Sequence, residues 1–186
     1  MKTNIAIFAS GGGSNAEVII NHFEQSTKGK IALIVTNNKN AYVIERAKNH
    51  KIPYYIHSKE EIENGGIEAL MKEYKIEFIV LAGYLKKIST GLVQEFPNKI
   101  VNIHPALLPK FGGKGMYGMN VHRAVVEAGE KESGITIHYV NENYDEGNII
   151  EQHSCELEQG MDAEEVQKRV LELEHKYFAP CVESLL

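Results

Sequence analysis

The chain has 186 residues, of which 43% are hydrophobic, so it is long enough to bury the core of one domain over residues 1–186. Its net charge of −5 and its 20 scattered Lys and Arg residues argue against nucleic acid as a partner. There is no apolar run long enough to cross a bilayer, and the chain begins with a strand pattern instead of a signal peptide. We therefore expect a cytoplasmic protein that makes no membrane contact.

The two cysteines, Cys155 and Cys181, have neither the spacing of metal ligands nor the density of a disulfide framework. We expect both to be free thiols that are buried or half-buried. The sequence gives no reason to expect a metal site.

The chain opens with a predicted strand, a glycine turn (Ser10–Asn15) and a helix. Three glycines allow a tight turn, Ser14 or Asn15 can cap the helix, and the first helical N–H groups then suit a phosphate. The spacing also fits a loose dinucleotide fingerprint, but the second strand, at 31–35, ends without an acid for a ribose diol, which favours a monophosphate over NAD. The alternative is a plain strand-to-helix turn. The candidate phosphate-binding residues are Gly11, Gly12, Gly13, Ser14 and Asn15.

Helices and strands alternate through the middle of the chain. The patterns predict helices over 41–50, 60–74 and 87–95 and strands over 53–57 and 78–82, with Gly65-Gly66 able to interrupt the second helix. The run at 78–82 is apolar throughout, as in a central parallel strand buried on both faces. We expect His57 at the surface. The alternation predicts an α/β doubly wound, mostly parallel sheet with helices on both faces.

A short strand over 100–104 carries the most informative side chains. Because alternate residues of a strand share a face, Asn102 and His104 should project together while their apolar neighbours pack on the other side. Pro105 should end the strand and leave both polar groups at its carboxyl end, where open parallel sheets bind ligands. The alternative is that both residues only satisfy loop backbone groups.

The pattern changes after this strand. A glycine-rich, basic segment at 110–118 fits a mobile loop over a ligand or a plain connector. A helix over 120–128 precedes strands over 134–140 and 148–154, and the loop between these strands supplies the carboxylate of Asp145. The residues from 162 to 186 predict a long helix, which Pro180 could break.

Taken together, several stretches resemble the folate-dependent formyltransferases, and among them the branch that acts on glycinamide ribonucleotide in purine (IMP) synthesis. An Asn-Ile-His-Pro stretch followed by a later aspartate is typical of the superfamily, and the glycine turn is typical of this branch. The stretches that carry the resemblance are 9–15, 80–85, 102–109, 134–140 and 144–147.

The resemblance implies a Rossmann-like fold and direct transfer of a formyl group from 10-formyltetrahydrofolate to the amine of N1-(5-phospho-D-ribosyl)glycinamide, without a metal. It implies that Asn102, His104 and Asp145 are catalytic, and that Glu174 joins the glycine turn in binding the ribonucleotide. The alternative for Glu174 is an exposed helical acid. The implied folate-binding residues are Leu85, Lys86, Lys87, Ile88, Asn102, Asn141, Glu142, Asn143, Tyr144 and Asp145. A homodimer is left open.

These residue types suit the reaction. Attack of an amine on the formyl carbon creates an oxyanion, to which the Asn102 amide and a protonated His104 could donate hydrogen bonds. Asp145 would favour the imidazolium and could carry the proton.

Three rival functions stay open at this stage. Formyl transfer to methionyl-tRNA is disfavoured by the negative net charge and by the lack of a C-terminal domain, and hydrolysis of formyl-folate by the lack of an added N-terminal domain. A regulatory nucleotide-binding module without catalysis is the third.

Overall fold

The computed structural model describes residues 1–186 as seven strands and seven helices. The strands are β1 (Thr3–Phe8), β2 (Gly29–Thr36), β3 (Tyr54–Ile56), β4 (Phe78–Leu81), β5 (Ile100–His104), β6 (Glu132–Tyr139) and β7 (Ile149–Glu156). The helices are α1 (Ser14–Gln25), α2 (Val43–Asn49), α3 (Lys59–Glu63), α4 (Gly66–Glu73), α5 (Thr90–Glu95), α6 (Met119–Glu127) and α7 (Ala163–Ser184).

The seven strands form one sheet in the order β3-β2-β1-β4-β5-β6-β7. β1 pairs in parallel with both β2 and β4, β2 pairs in parallel with β3, and β6 pairs antiparallel with β7. This topology confirms the predicted mostly parallel, doubly wound sheet. None of the helices is both long and apolar enough to span a membrane.

The chain forms two compact units, the first of which comprises Met1–Val101 and Ala179–Leu186. In this unit the whole of β4 is buried, as predicted for a central parallel strand. α1 contacts β2 and buries one apolar face, formed by Ala16, Ile19, Ile20 and Phe23. The glycine turn connects β1 to α1 in this unit.

The second unit comprises Asn102–Phe178. Its strand β6 is buried from Ser133 to His138, whereas exposed and half-buried residues alternate along much of the edge strand β7. α6 buries Val121, His122 and Val125. The single-domain prediction for the whole chain stays a prediction.

Three predicted helices can be compared with their observed bounds. The interruption foreseen at Gly65-Gly66 is confirmed, because Gly65, which has a positive φ of 76°, divides the 60–74 segment into α3 and α4. α5 begins at Thr90 because the side chain of extended Ser89 caps it by accepting a hydrogen bond from the N–H of Leu92. α7 continues through Pro180, since the residues on both sides of the proline are at most 2% exposed and their burial stabilises the helix.

The expectation that His57 lies at the surface was wrong. Its side chain is buried, because Tyr84 Oη donates a hydrogen bond to His57 Nε2 at 2.8 Å while His57 Nδ1–H donates to the Ser58 carbonyl at 2.9 Å. Both ring nitrogens are therefore satisfied inside the protein, which removes most of the cost of burying them.

Candidate functional site

The second unit brings Asn102, His104 and Asp145 together. β5 ends at His104, immediately before Pro105 as predicted, so Asn102 and His104 lie at the carboxyl end of the strand. Asp145 lies in the loop between β6 and β7, and its Oδ2 atom is 3.6 Å from His104 Nδ1. The three side chains predicted to be catalytic therefore lie in one cluster, which their separation in sequence did not guarantee.

His138, near the end of β6, links these side chains and was not predicted as a site residue. Asn102 Nδ2 donates a hydrogen bond to His138 Nε2 at 3.1 Å, and His138 Nδ1–H donates to the carbonyl of Tyr139 at 2.9 Å. The Nε2 atom is also 3.7 Å from Asp145 Oδ1. We call these four residues, Asn102, His104, His138 and Asp145, the polar cluster. The available signal was strand alternation, which places Thr136 and His138 on one face of β6.

The second ring nitrogen of His104 is bound by the loop that follows β5. His104 Nε2–H donates a hydrogen bond to the carbonyl oxygen of Phe111 at 2.7 Å, and the Gly113 N–H donates to Asp145 Oδ2 at 2.9 Å. The side chain of His104 is 4% exposed. Since Nε2 carries its proton toward Phe111, the lone pair of Nδ1 faces the Asp145 carboxylate in the neutral ring.

Burial and charge oppose each other at this cluster. Burial lowers the pKa of His104 more than the Asp145 charge and the Phe111 carbonyl raise it, and the nearby His138 lowers it further. Burial raises the pKa of Asp145, but His138, His104 and the Gly113 N–H outweigh it, so the net shift is downward. At neutral pH the free protein therefore holds a neutral imidazole beside a carboxylate.

Two residues of this region have left-handed backbones, although neither is glycine. The φ angles are 55° at Phe111 and 56° at Asp145, a conformation that costs roughly 1–3 kcal/mol per residue. Gly147, two residues after Asp145, permits the turn, because a β-carbon there would lie 1.6 Å from the carbonyl oxygen of Tyr139. Phe111 and Asp145 thus keep their orientation although the left-handed backbone that it requires is unfavourable for a residue other than glycine.

The loop between β5 and this site is attached to β6 through Thr136. The Leu108 N–H donates to Thr136 Oγ1 at 3.0 Å, and that hydroxyl donates to the Ala106 carbonyl at 2.7 Å. Gln152, on β7, donates to both Thr136 Oγ1 and the Leu108 carbonyl at 2.9 Å. The peptide bond between Leu108 and Pro109 is cis. The hydrogen bonds of Thr136 and Gln152 hold the chain that follows His104 against β6 and β7.

The glycine turn lies in the first unit. Its last glycine, Gly13, has φ 66° and ψ 32° and forms the N-cap of α1 without a side-chain hydrogen bond. The expectation that Ser14 or Asn15 caps the helix was therefore wrong, since the left-handed glycine begins the helix one residue earlier. A β-carbon on Gly11 or Gly12 would meet no atom within 4 Å, so this side of the turn is open.

Ser10, at the start of the turn, joins it to the segment predicted to bind folate. Its hydroxyl donates to Asn37 Oδ1 at 2.6 Å and accepts from the N–H of Leu85 at 2.9 Å. Leu85 is 50% exposed, Lys86 and Lys87 are exposed, and Ile88 is 8% exposed among core residues. The first unit therefore connects the glycine turn to the 85–88 segment through one buried hydroxyl.

The remaining predicted residues lie in the second unit. Asn141, Glu142, Asn143 and Tyr144 are exposed in the loop that carries Asp145, and Glu174 is half-buried on α7. Both cysteines are free thiols, Cys181 buried and Cys155 half-buried, as expected. No group of three or more His, Cys, Asp or Glu side chains has an arrangement that could hold a metal ion.

Comparisons of the sequence with known proteins all point to one family. The formyl transferase family matches residues 3–182. The chain is 37% identical to phosphoribosylglycinamide formyltransferase of Bacillus subtilis over 187 residues, covering 97% of this chain and 93% of the relative. It is 43% identical over 191 residues to the chloroplastic phosphoribosylglycinamide formyltransferase of Arabidopsis thaliana, covering 99% of this chain but only 65% of that relative.

A solved structure supports the same grouping. The crystal structure of glycinamide ribonucleotide transformylase 1 from Geobacillus kaustophilus matches with a TM-score of 0.91 and 32% sequence identity, and the match covers 100% of both chains. At this level of identity and coverage the likeness extends beyond the order of the strands to the whole sequence.

Proposed function

The chain belongs to the formyl transferase family, and from this premise we propose that it transfers a formyl group from 10-formyltetrahydrofolate to the amine of glycinamide ribonucleotide in purine synthesis. The observation that carries the proposal is the polar cluster, in which His104 Nδ1 lies 3.6 Å from the Asp145 carboxylate at the carboxyl end of β5. The names of the relatives from Bacillus and Arabidopsis support this substrate.

In the proposed reaction the amine nitrogen attacks the formyl carbon, and the C=O bond opens to an oxyanion. The attacking nitrogen then loses one proton, the oxyanion re-forms the C=O bond as the carbon–N10 bond of the folate breaks, and N10 keeps that electron pair and gains one proton. No electrons are exchanged with a third partner, and the proton lost by the amine balances the proton gained by the folate. The protein therefore has to stabilise one negative charge and move one proton.

His104 Nδ1 and Asp145 Oδ2 suit the proton transfer. Both atoms are acceptors in the free protein and lie 3.6 Å apart, so a proton that arrives at Nδ1 is stabilised by the adjacent carboxylate. We assign to His104 the acceptance of the amine proton and its delivery to N10. Asp145 holds the imidazolium while the proton is in transit.

Asn102 suits the oxyanion. One N–H of its amide donates to His138, which fixes the plane of the group, and the second N–H donates to the formyl oxygen as it becomes negative. Loss of one such donor typically costs about 10²–10³ in turnover. His138 is therefore a positioning residue for Asn102 in this proposal.

The glycine turn suits the phosphate of the ribonucleotide. The turn is open on one side, and the 12-residue helix α1 begins directly after the left-handed Gly13. It therefore offers backbone N–H groups and the positive end of a helix dipole. Glu174 and the folate contacts at 85–88 and 141–145 complete the proposed substrate residues. A cytoplasmic location and a homodimer stay predictions.

One experiment tests the proposal. The protein is mixed with 10-formyltetrahydrofolate in the presence and absence of glycinamide ribonucleotide, and deformylation of the folate is followed by absorbance while the formylated ribonucleotide is measured by mass spectrometry. We expect stoichiometric, amine-dependent transfer, and we expect His104→Ala to abolish most of it. Deformylation at an equal rate without the amine would indicate a hydrolase, and binding without turnover would indicate a regulatory module.

A further inference from the structure

We propose that Arg46, on α2, is a positioning residue that holds the glycine turn with its backbone N–H groups directed toward the substrate phosphate. The inference rests on the proposed function, because it concerns the phosphate end of the same ribonucleotide. Arg46 follows the turn by more than 30 residues, and its identity gave no sign of this role in the sequence.

Two carbonyl groups of the turn are bound by α2. Arg46 Nε donates a hydrogen bond to the Gly12 carbonyl at 2.8 Å, and the backbone N–H of Val43 donates to the Gly11 carbonyl at 3.1 Å. In a trans peptide the C=O and the following N–H point in opposite directions. Binding these carbonyls therefore directs the N–H groups of Gly12 and Gly13 away from α2.

Arg46 is itself held in place. Its Nη1 atom donates to Glu17 Oε2 at 3.0 Å, and the guanidinium lies 5.1 Å from the centroid of the Tyr42 ring. The side chain is only 25% exposed. The guanidinium thus contacts a carboxylate, a carbonyl and an aromatic ring. These contacts hold it in one position, so that its bond to Gly12 restricts the motion of the turn relative to α2.

The positive charge of Arg46 also favours phosphate binding, because it compensates the nearby Glu17 carboxylate. Glu17 lies in the first turn of α1, close to the proposed phosphate site; burial raises the pKa of its carboxyl, but hydrogen bonds from His50 and Arg46 outweigh this and the net shift is downward. The carboxylate is thus ionised at neutral pH, and Arg46 supplies the permanent positive charge beside it, whereas its other partner, His50, is cationic only when protonated. Loss of Arg46 should therefore loosen the turn and also weaken the compensation of a charge that repels phosphate.

The test separates this role from ordinary helix packing by removing the phosphate from the substrate. Steady-state kinetics are measured for the native protein and Arg46→Ala with glycinamide ribonucleotide and with the dephosphorylated glycinamide riboside. We expect Arg46→Ala to raise the KM for the ribonucleotide about 10- to 100-fold, and kcat/KM for the riboside and the KM for 10-formyltetrahydrofolate to change less than about threefold. Arg46→Lys should give an intermediate KM, because an ammonium cannot reproduce both bonds of the guanidinium.

Lys48→Ala is the matched control, since Lys48 lies on the same helix, is 49% exposed in its side chain, and contacts Glu45 and the Tyr54 ring but no residue of the glycine turn. It should leave all constants unchanged. An equal loss with ribonucleotide and riboside in Arg46→Ala, or a rise in the folate KM of the same size, would overturn the positioning role and indicate general damage to the fold.

A binding measurement keeps the inference testable if turnover is absent. Inorganic phosphate should raise the thermal unfolding midpoint of the native protein, and Arg46→Ala should need about 10- to 100-fold more phosphate for the same rise. If the native protein responds to phosphate but shows no amine-dependent transfer, the proposed function fails and the role of Arg46 stands. If phosphate does not stabilise the native protein, or stabilises Arg46→Ala equally, the role of Arg46 fails.

Discussion

The ionisation of His104 is set by a balance between burial and the Asp145 carboxylate, and that balance predicts how Asp145→Asn behaves. Removing the carboxylate takes away the charge that raises the pKa of His104, so the pKa should fall below its already lowered native value. Turnover should fall by about 10²–10⁴, because the proton loses its stabilising partner. The measurements are an NMR titration of the His104 ring and kcat for each protein.

The losses of turnover caused by substituting His104 and Asp145 should not multiply in the double variant. His104→Ala should lose a factor similar to that of Asp145→Asn, and the double variant should be scarcely worse than either single one, because the two groups act on one proton. Multiplicative losses, or near-native turnover in Asp145→Asn with an unshifted titration, would contradict the proton-transfer role of Asp145.

His122, on α6, is a second buried imidazole whose burial should make the protein sensitive to acid. It is 3% exposed, its Nδ1 has no hydrogen-bond partner, and burial followed by the nearby His104 lowers its pKa to about 4. Because the unfolded chain takes up this proton near pH 6.5, stability is present above that pH and is lost as pH falls toward 4. The loss between pH 7 and pH 5 should be on the order of 2 kcal/mol.

His122→Phe provides the comparison, since it keeps a flat ring but cannot bind a proton. Urea unfolding at both pH values should give a smaller acid loss for this variant than for the native protein. An identical pH dependence of the two proteins would show that His122 is accessible to protons in the folded state.

At the scale of elements, the connection of β1 to α1 depends on which glycine of the turn is changed. Gly13 has a positive φ and a β-carbon there would lie 2.6 Å from Val43 Cγ2, so Gly13→Ala should destabilise the packing of α1 on α2 by about 1–3 kcal/mol. Gly12→Ala meets no protein atom within 4 Å and should fold normally. Its methyl group instead enters the space proposed for the phosphate, so the KM for the ribonucleotide should rise while the folate KM does not.

Thermal unfolding and steady-state kinetics of the two variants check this prediction. A Gly12→Ala protein with native constants for the ribonucleotide would place the phosphate elsewhere.

α1 and α2 are also joined by a pH-dependent network around His50. Its Nε2 and Nδ1 atoms each lie 2.9 Å from a carboxylate, of Glu17 and Glu24 respectively, and the hydrogen bond with Glu17 is the main cause of its raised pKa. A raised folded pKa means that the stabilisation is complete below about pH 6.5 and is lost as pH rises through the folded value.

The native protein should therefore unfold at a higher temperature than His50→Gln at pH 6, and the difference should shrink by pH 8.5. A difference that is constant with pH would show that His50 contributes packing and not charge.

At the scale of the whole molecule, direct transfer requires no covalent intermediate on the protein. Cys181 is buried, burial raises the pKa of the Cys155 thiol, and neither lies in the polar cluster. A variant in which both cysteines are replaced by Ala should therefore keep turnover within about threefold of native. Loss of activity in a folded variant, together with a formyl thioester trapped on the native protein, would contradict direct attack.

Much of the fold could be predicted because its signals are local. The local signals are apolar runs, helical periods, glycines and prolines, which act through the sterics of a few neighbouring residues. The succession of strands and helices along the chain and the end of β5 before Pro105 therefore follow from the sequence. The same local signals failed for His57, where a hydrogen bond from Tyr84 and burial outweighed the local preference, and at Pro180 the burial of its neighbours keeps α7 continuous. The cap of α1 was wrong for a local reason, since the left-handed Gly13 begins the helix one residue earlier.

The sequence by itself determined the class of sheet, the glycine turn before α1 and the placement of Asn102 and His104 on one face of β5, because the backbone repeat of a strand or helix fixes these within a few residues. Only the tertiary structure decided that His138 holds Asn102 across 36 residues, that Arg46 binds the Gly12 carbonyl across 34, and that burial lowers the pKa of His104. Hydrogen bonds between distant residues and the exclusion of water depend on how the chain closes on itself. Neither is encoded in the identity of a single residue or its immediate neighbours.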